Sequence, residues 1–162
     1  MPVAPTAGKL RRAATALLTL LVLAGCGLPK DPDSTLARID QEHVMVVGVA
    51  PAPPQVEVHG GVPTGPEADL ASNFAATRGA HVKWVVASQE ELVKQLEEGQ
   101  VDLMVGGLTS KSPFKSKVGL TRAYSEEIDD HGERVKRVVA APLGENALVT
   151  ELERWFDDGM PA

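Results

Sequence analysis

From residue 44 onward, short apolar runs alternate with amphipathic segments. The apolar runs are rich in valine and contain few polar residues, which is typical of strands covered on both faces of a sheet. Four such runs occur, at residues 44–50, 82–87, 101–105 and 135–141. Apolar residues at helical spacing occupy three further segments, at 66–78, from Ser88 to Gly99, and at 146–158. This order predicts an α/β fold, a three-layer sandwich with a mainly parallel sheet of about four main strands and right-handed crossovers.

Turn and capping residues support two of these elements. The alternating segment 56–59 is followed by Gly60-Gly61, and two consecutive glycines suit a tight hairpin because glycine tolerates positive φ. Ser88 and Glu91 form a capping box, in which each side chain satisfies a free amide at a helix start. We therefore expect a small hairpin after the first strand and a helix that begins at Ser88.

The N-terminal residues have the layout of a secretory signal. Lys9, Arg11 and Arg12 precede an apolar stretch at 13–22 that is too short for an ordinary membrane span. The stretch leads into Leu23-Ala24-Gly25-Cys26, which resembles the bacterial lipobox, whose cysteine thiol is acylated before cleavage.

This layout predicts a lipoprotein on the extracytoplasmic side of a bacterial cell membrane. Residues 1–25 are expected to form the signal peptide, and residues 26–43 the lipidated Cys26 and its tether. Lipid chains such as palmitate hold a protein stably to a membrane when more than one is attached, so the membrane is an expected partner. An uncleaved anchor, or a plain signal peptide with an incidental cysteine, is the alternative interpretation.

Composition and charge narrow the function classes. The 162 residues carry 16 Lys+Arg against 22 Asp+Glu, a formal charge of −6. This acidic balance disfavours nucleic acid as a partner, because phosphate binding rests largely on cations. The single cysteine excludes an intrachain disulfide and the zinc or redox motifs that need two cysteines. A chain of this length builds roughly one domain.

The order of several short motifs resembles one lobe of a known receptor family. In chain order these motifs are Val47-Gly48-Val49-Ala50, Pro53-Pro54, Gly60-Gly61-Val62-Pro63-Thr64-Gly65, Glu67-Ala68-Asp69-Leu70-Ala71, Glu91-Leu92, Leu96, Gly99-Gln100-Val101-Asp102-Leu103 and Gly106-Gly107-Leu108-Thr109. The series is similar to the first lobe of the family 3 extracellular solute-binding proteins, from about residue 44 to Tyr124, with a weaker likeness at 135–158. That resemblance implies a lobe of the type II periplasmic binding proteins, which hand amino acids and similar polar solutes to the permease of an ABC importer.

The resemblance also implies that the second of the family's two lobes is missing. In the family that lobe follows the segment ending at Tyr124, whereas here only an acidic linker, residues 125–134, precedes the return strand. We therefore expect a single lobe over residues 44–160. Because clamshell receptors bury the solute between two lobes, a lone lobe predicts weak binding, or a dimer or partner chain that supplies the second wall.

The resemblance places a ligand site at the turn after the third strand. The candidate contacts are Gly107, Leu108, Thr109, Ser110, Lys111 and Lys115, together with Gln55 and Tyr124. Thr109 leads this set because it follows the carboxyl end of a parallel strand, where open α/β sheets bind ligands. A hydroxyl that caps a turn is the ordinary alternative for Thr109. Phe114 stands where the family has an arginine that clamps a carboxylate, so Lys111 or Lys115 would offer only a point charge.

Catalysis and metal binding have weaker support in the sequence. Ser112-Pro113-Phe114-Lys115 fits the S-x-x-K motif of penicillin-binding proteins, but the partner motifs S-D-N and K-T-G do not occur. The four histidines lack the spacing of metal ligands. The acidic run 126–133 fits a solvated linker better than a loose calcium site. We expect no enzyme activity, no metal and no cofactor.

Two functions remain after these exclusions. The first is a lipid-anchored solute-binding component of an ABC-type uptake system, which binds a small polar, amino-acid-like solute. The second is a one-lobe lipoprotein that keeps the scaffold and acts as a protein-interaction module. Retention of Gly107 and Thr109 favours the first function, and Phe114 in place of the arginine favours the second.

Overall fold

The computed structural model describes residues 31–129 and 131–160. Its strands in these ranges are β1 (Val44–Val49), β2 (Glu57–His59), β3 (Val62–Thr64), β4 (His81–Val86), β5 (Leu103–Val105), β6 (Val118–Leu120), β7 (Ser125–Ile128), β8 (Arg134–Arg137) and β9 (Ala140–Pro142). Its helices in the same ranges are α1 (Thr35–Glu42), α2 (Pro66–Thr77), α3 (Gln89–Glu97) and α4 (Asn146–Asp157). None of these four helices has both the length and the apolar character needed to cross a membrane.

The central sheet contains five strands in the order β4-β1-β5-β9-β6. β1 is parallel to β4 and to β5, and the helices α2 and α3 make the two crossovers between these strands. β9 is antiparallel to both β5 and β6, so the sheet is mixed only at this edge. The prediction of an α/β fold with a mainly parallel sheet is confirmed.

Apolar side chains cover both faces of the sheet, which makes the three layers. One face is covered by α1, α2 and α4, whose fully buried residues include Ile39, Phe74, Leu148 and Leu152. The other face is covered by α3 through Leu92, Val93 and Leu96. Gly48 allows α3 to pack closely, because a Cβ at this position would lie 2.6 Å from Leu92 Cδ2.

The predicted strand at 135–141 is wrong as a single element. The structure divides it into β8 and β9, which belong to different sheets: β8 pairs with β7, and β9 joins the central sheet. The acidic segment 125–134 is correspondingly a hairpin rather than a linker. Its charges stabilise the pairing, since Lys136 and Arg134 of β8 lie 2.8 Å and 3.3 Å from the Glu126 carboxylate of β7. These cations hold the pKa of Glu126 below its usual range.

Part of the predicted tether is also folded. Residues 35–42 form α1, and Ile39 is fully buried against the helical layer. Asp102, which follows α3, pairs with Arg38 of α1 and accepts a hydrogen bond from Val46 N at 2.8 Å. Burial raises the pKa of Asp102, although Val46 N and Arg38 oppose this effect. The predicted signal peptide and Cys26 lie outside the described residues.

A buried glutamate holds the beginning of α1. Ser34 makes no side-chain cap, and the Glu145 carboxylate instead accepts hydrogen bonds from Asp33 N and Thr35 N, both at 2.8 Å. Glu145 is fully buried. Burial would raise the pKa of Glu145, but hydrogen bonds from the two backbone amides and from the side chains of Thr35 and Asp31 together lower it. A residue just before α4 therefore provides the anionic cap of α1.

Replacement of this cap should show a defined pH dependence. Glu145→Gln should lower the free energy of unfolding by about 1–3 kcal/mol at neutral pH, since two amides lose a charged acceptor. Because the folded-state pKa lies below the ordinary 4.5, wild type loses this advantage as pH falls below that value. Urea unfolding of both proteins from pH 7 to pH 3 measures the difference.

The exposed residue Glu97 of α3 provides the matched control. Glu97→Gln should change the free energy of unfolding by less than about 0.5 kcal/mol at every pH. A constant difference between wild type and Glu145→Gln across the acid range would contradict the charged-cap assignment.

Candidate functional site

The turn that follows β5 lies at the carboxyl ends of the parallel strands β1 and β5. Gly106 and Gly107 begin this turn with φ of +146° and +68°. A Cβ on Gly106 would lie 2.5 Å from the carbonyl oxygen of Ala50, just beyond β1. Glycine is therefore required for the turn to cross the end of β1 this closely.

A buried carboxylate fixes the position of this turn. Glu67, in the first turn of α2, is fully buried, and its Oε2 accepts hydrogen bonds from Gly106 N at 2.7 Å and Gly107 N at 2.9 Å. Its Oε1 accepts a hydrogen bond from the Tyr124 hydroxyl at 2.7 Å. Burial raises the pKa of Tyr124, and the Glu67 charge raises it further, so the phenol stays protonated and donates.

An arginine at the end of β8 holds the same turn from the other side. Arg137 Nη1 donates to the Gly107 carbonyl oxygen at 3.1 Å, and the rest of the guanidinium pairs with Glu127 of β7. Gln55 Nε2 also donates to the Glu127 carboxylate, at 3.2 Å. Gln55, a predicted ligand contact, is thus bonded to the β7–β8 hairpin.

The backbone of β8 pairs with the predicted binding turn. Ser110 N donates to the Lys136 carbonyl oxygen at 3.0 Å, and Val138 N donates to the Leu108 carbonyl oxygen at 3.1 Å. Leu108 is only 4% exposed and packs in the cluster under α3. The side chain of Leu108 therefore belongs to the core.

The turn and the hairpin enclose a cleft of about 270 Å³. Three of the predicted contacts line it together with five residues of the hairpin: Thr109, Ser110, Lys111, Asp129, Glu133, Arg134, Val135 and Lys136. Both signs of charge are present in this small volume. Backbone amides of Glu133 and His131 lower the pKa of Asp129 and keep its carboxylate ionised.

The hydroxyl of Thr109 has a structural task within the turn. Its Oγ1 accepts a hydrogen bond from Lys111 N at 3.2 Å, the geometry of a turn-capping threonine. The hydroxyl proton is left to donate into the cleft, because this bond uses only the acceptor side of the oxygen. Thr109 can therefore cap the turn and still donate a hydrogen bond to a ligand in the cleft.

The remaining predicted contacts lie outside this cleft. Lys115 is exposed in the following turn and does not line the cleft. Phe114, at the position where the resemblance implies an arginine, is half-buried and packs against the cluster under α3. Tyr124 packs against the helical layer and is bonded to Glu67. Ser112, the serine of the S-x-x-K match, is 6% exposed and lies in a turn rather than at a helix start.

Several residues at the site were not among the sequence predictions. Glu67 lies in the first turn of α2, where acidic residues are common, and this position gives no sign that its carboxylate is buried. Arg134, Lys136 and Arg137 lay within a run interpreted as linker and strand. Alternation of charged and apolar residues over Arg134-Val135-Lys136 was the available signal for an exposed strand. Among the described residues, no three His, Cys, Asp or Glu side chains converge as a metal site would require.

Removal of the Glu67 carboxylate should destabilise the turn and the fold together. Glu67→Ala leaves two amides and one hydroxyl without their acceptor, so the free energy of unfolding should fall by roughly 3–5 kcal/mol. Tyr124→Phe removes one of the three bonds and should cost about 1 kcal/mol. Urea unfolding at neutral pH measures both.

The neighbouring acid Asp69 is exposed on the same helix turn and serves as control. Asp69→Ala should change the free energy of unfolding by less than about 0.5 kcal/mol. If Glu67→Ala cost no more than Tyr124→Phe, the carboxylate would not be the anchor of the turn.

Solved structures with the same fold include single lobes of amino-acid-binding proteins. The arginine-bound form of domain 1 from TmArgBP superposes with a TM-score of 0.66 at 21% identity, over 75% of this chain and 97% of that domain. The ancestral cationic amino acid solute-binding protein AncCDT-1 superposes with a TM-score of 0.67 at 14% identity, over 78% of this chain and 93% of the other.

Two similar curated sequences carry the name of an enzyme. The membrane-bound lytic murein transglycosylase F of Maricaulis maris (strain MCS10) is 33% identical over 114 residues, and that of Vibrio cholerae O1 is 32% identical over 93 residues. The matches cover 67% and 57% of this chain. The chain spans only 25% and 18% of the lengths of those relatives.

The family comparison confirms the resemblance drawn from the short motifs. The match to the bacterial extracellular solute-binding proteins, family 3, extends over residues 45–157, from β1 to the end of α4. It therefore includes the turn, the hairpin and the cleft between them. The chain belongs to the bacterial extracellular solute-binding proteins, family 3, and its fold is that of one lobe of these receptors.

Proposed function

We propose that this protein is the solute-binding component of an uptake system and binds a small amino-acid-like zwitterion in the cleft beside Thr109. The observation that carries this proposal is the pairing of cations and anions around about 270 Å³ at the end of a parallel sheet. A zwitterion needs one partner of each sign within a few ångströms. The proposed role is capture of the solute rather than its chemical conversion.

The pattern of existing ion pairs indicates which charges are available to a solute. Arg134 and Lys136 are engaged by Glu126, at 3.3 Å and 2.8 Å. Lys111 and Glu133 form no salt bridge with any described residue. The solute carboxylate is therefore assigned to Lys111 and the Thr109 hydroxyl, and the solute ammonium to Glu133 and Asp129.

Binding by this lobe alone is expected to be weak. A lysine supplies a point charge without the two parallel bonds of an arginine, and one face of the solute stays open to water. The arginine-bound domain 1 from TmArgBP supports the idea that a single lobe can hold a solute. A second copy or a partner chain over the open face would complete the enclosure.

The proposed cellular setting is the outer face of the bacterial membrane. The lipobox-like segment assigns lipid chains to Cys26, and the helix α1 begins nine residues later. The lobe would thus stand close to the membrane, where an ABC-type permease could receive the solute. Membership of an extracellular family supports this side of the membrane.

A second candidate follows from the named relatives. Identity to the transglycosylase F sequences, 33% and 32%, exceeds the 21% identity to domain 1 from TmArgBP. The lobe would then bind a fragment of murein and act together with an enzyme that cleaves it. Murein fragments carry amino acids as well as sugars, so the same charged cleft would receive their peptide part.

Thermal unfolding with candidate solutes tests the cleft. The full protein in nonionic detergent is titrated with millimolar amino acids, and separately with murein-derived peptides and sugars. A ligand that binds only the folded state raises the free energy of unfolding, by about 2.7 kcal/mol at a hundredfold excess over Kd, and the melting temperature rises with it. Thr109→Ala should weaken binding by roughly threefold to tenfold, and Lys111→Gln by a similar factor or more.

The controls distinguish lost binding from lost folding. Thr109→Ser keeps the hydroxyl and should retain binding, and Lys115→Gln should have no effect because Lys115 lies outside the cleft. Binding of murein fragments alone would select the second candidate. A cooperative transition that no solute shifts would reject both and favour a protein-interaction module.

Membrane attachment is tested at Cys26. Cys26→Ser should carry no lipid chain and, because acylation precedes cleavage, should keep its signal peptide and migrate on a gel as the longer precursor. Metabolic labelling with an alkyne fatty acid should mark wild type and not the variant. Labelling of Cys26→Ser, or equal gel mobility of the two proteins, would contradict lipidation at Cys26.

A further inference from the structure

A second and larger groove lies apart from the cleft beside Thr109. It encloses about 480 Å³ between the N-terminal half of α2, the end of α4 and the start of β7. The two cavities share no lining residue among those described. This volume is within the range of sites for small organic molecules.

The floor of the groove is apolar and firmly packed. Leu70 and Trp155 form part of it, and each is 7% exposed. Trp155 packs edge-on against Phe74 at 5.7 Å between ring centroids, and against Phe156 at 5.9 Å. Tyr124 completes the aromatic group, 5.9 Å from Phe156. An apolar ligand body would meet a preformed aromatic surface here.

The rim of the groove is polar and carries only negative charge. Asp69 and Asn73 lie one turn apart on α2, and neither side chain makes a hydrogen bond or ion pair with a described residue. Glu127 also lines the groove but is already bonded to Arg137 and Gln55. No lysine or arginine lines the groove within the described ranges.

We infer that this groove binds a small amphiphilic cation, a primary amine with an aromatic body. The ring of the ligand packs against Leu70 and Trp155, and its ammonium pairs with the Asp69 carboxylate. The side-chain oxygen Oδ1 of Asn73 accepts a further hydrogen bond from the ammonium. A zwitterionic amino acid is disfavoured because its carboxylate would find no cation. The groove therefore selects a different ligand from the cleft beside Thr109.

Phenethylamine is the probe, and the fluorescence of Trp155 is the readout. The chain has two tryptophans, so Trp84→Phe leaves Trp155 as the sole indole. Titration of this variant in nonionic detergent should quench or shift Trp155 emission with saturation at millimolar phenethylamine. The anion 3-phenylpropanoate, which has the same phenethyl body, should show no saturable change, since its negative charge is repelled by that of the rim.

Four further variants assign the binding to this groove. Asp69→Asn should weaken phenethylamine binding by about fivefold or more, whereas Glu90→Gln, an exposed acid in the first turn of α3, should leave it unchanged. Ser125→Phe places a large side chain at the groove wall, adds no second indole to the Trp84→Phe protein, and should abolish saturation. Thr109→Ala should have no effect, which separates this site from the cleft.

Equal affinity for the amine and the carboxylate would overturn the charge assignment. Unchanged binding in both Asp69→Asn and Ser125→Phe would show that the probe binds elsewhere. Absence of any saturable signal in the folded Trp84→Phe protein, verified by its cooperative unfolding, would reject the site altogether.

Discussion

The buried carboxylate of Glu67 connects three separate parts of this lobe. Glu67 belongs to the first turn of α2. Its carboxylate accepts hydrogen bonds from the backbone amides of Gly106 and Gly107 and from the hydroxyl of Tyr124, which lies just before the hairpin. A buried charge is tolerated only where its oxygens find donors, and here three donors converge on it. The position of the binding turn relative to the sheet and to the hairpin thus depends on one side chain.

The two cavities differ in the charges and the apolar residues that line them. The cleft beside Thr109 offers charges of both signs, whereas the groove beside Trp155 offers an apolar floor and negative charge alone. The Glu127–Arg137 pair connects parts of both environments: Arg137 donates to the Gly107 carbonyl oxygen, and Glu127, which lines the groove, accepts from Gln55. Because guanidinium and carboxylate are already engaged with each other, neither is assigned to a ligand.

Elements with strong local periodicity were predictable, and elements defined by distant partners were not. The strands β1 and β4 and the helices α2 and α3 followed from valine runs, a capping box and helical spacing, and the family resemblance followed from the order of the same motifs. The hairpin was missed because its charged strands have no apolar face, and each strand is stabilised by ion pairs with the other. The role of Glu67 was hidden for a similar reason: its donors are backbone amides about 40 residues away in sequence.

The hairpin provides one point at which extra chain can be inserted into this lobe. β7 and β8 are adjacent and antiparallel, with Ser125 opposite Arg137 at their base, so the chain leaves the lobe and returns to it at one point. Extra chain of any length inserted at the tip would enter and leave without displacing the sheet, the helices or the Glu67 anchor. An insertion at this tip would alter the wall of the cleft that Asp129 and Glu133 form, and it would leave the core of the lobe in place.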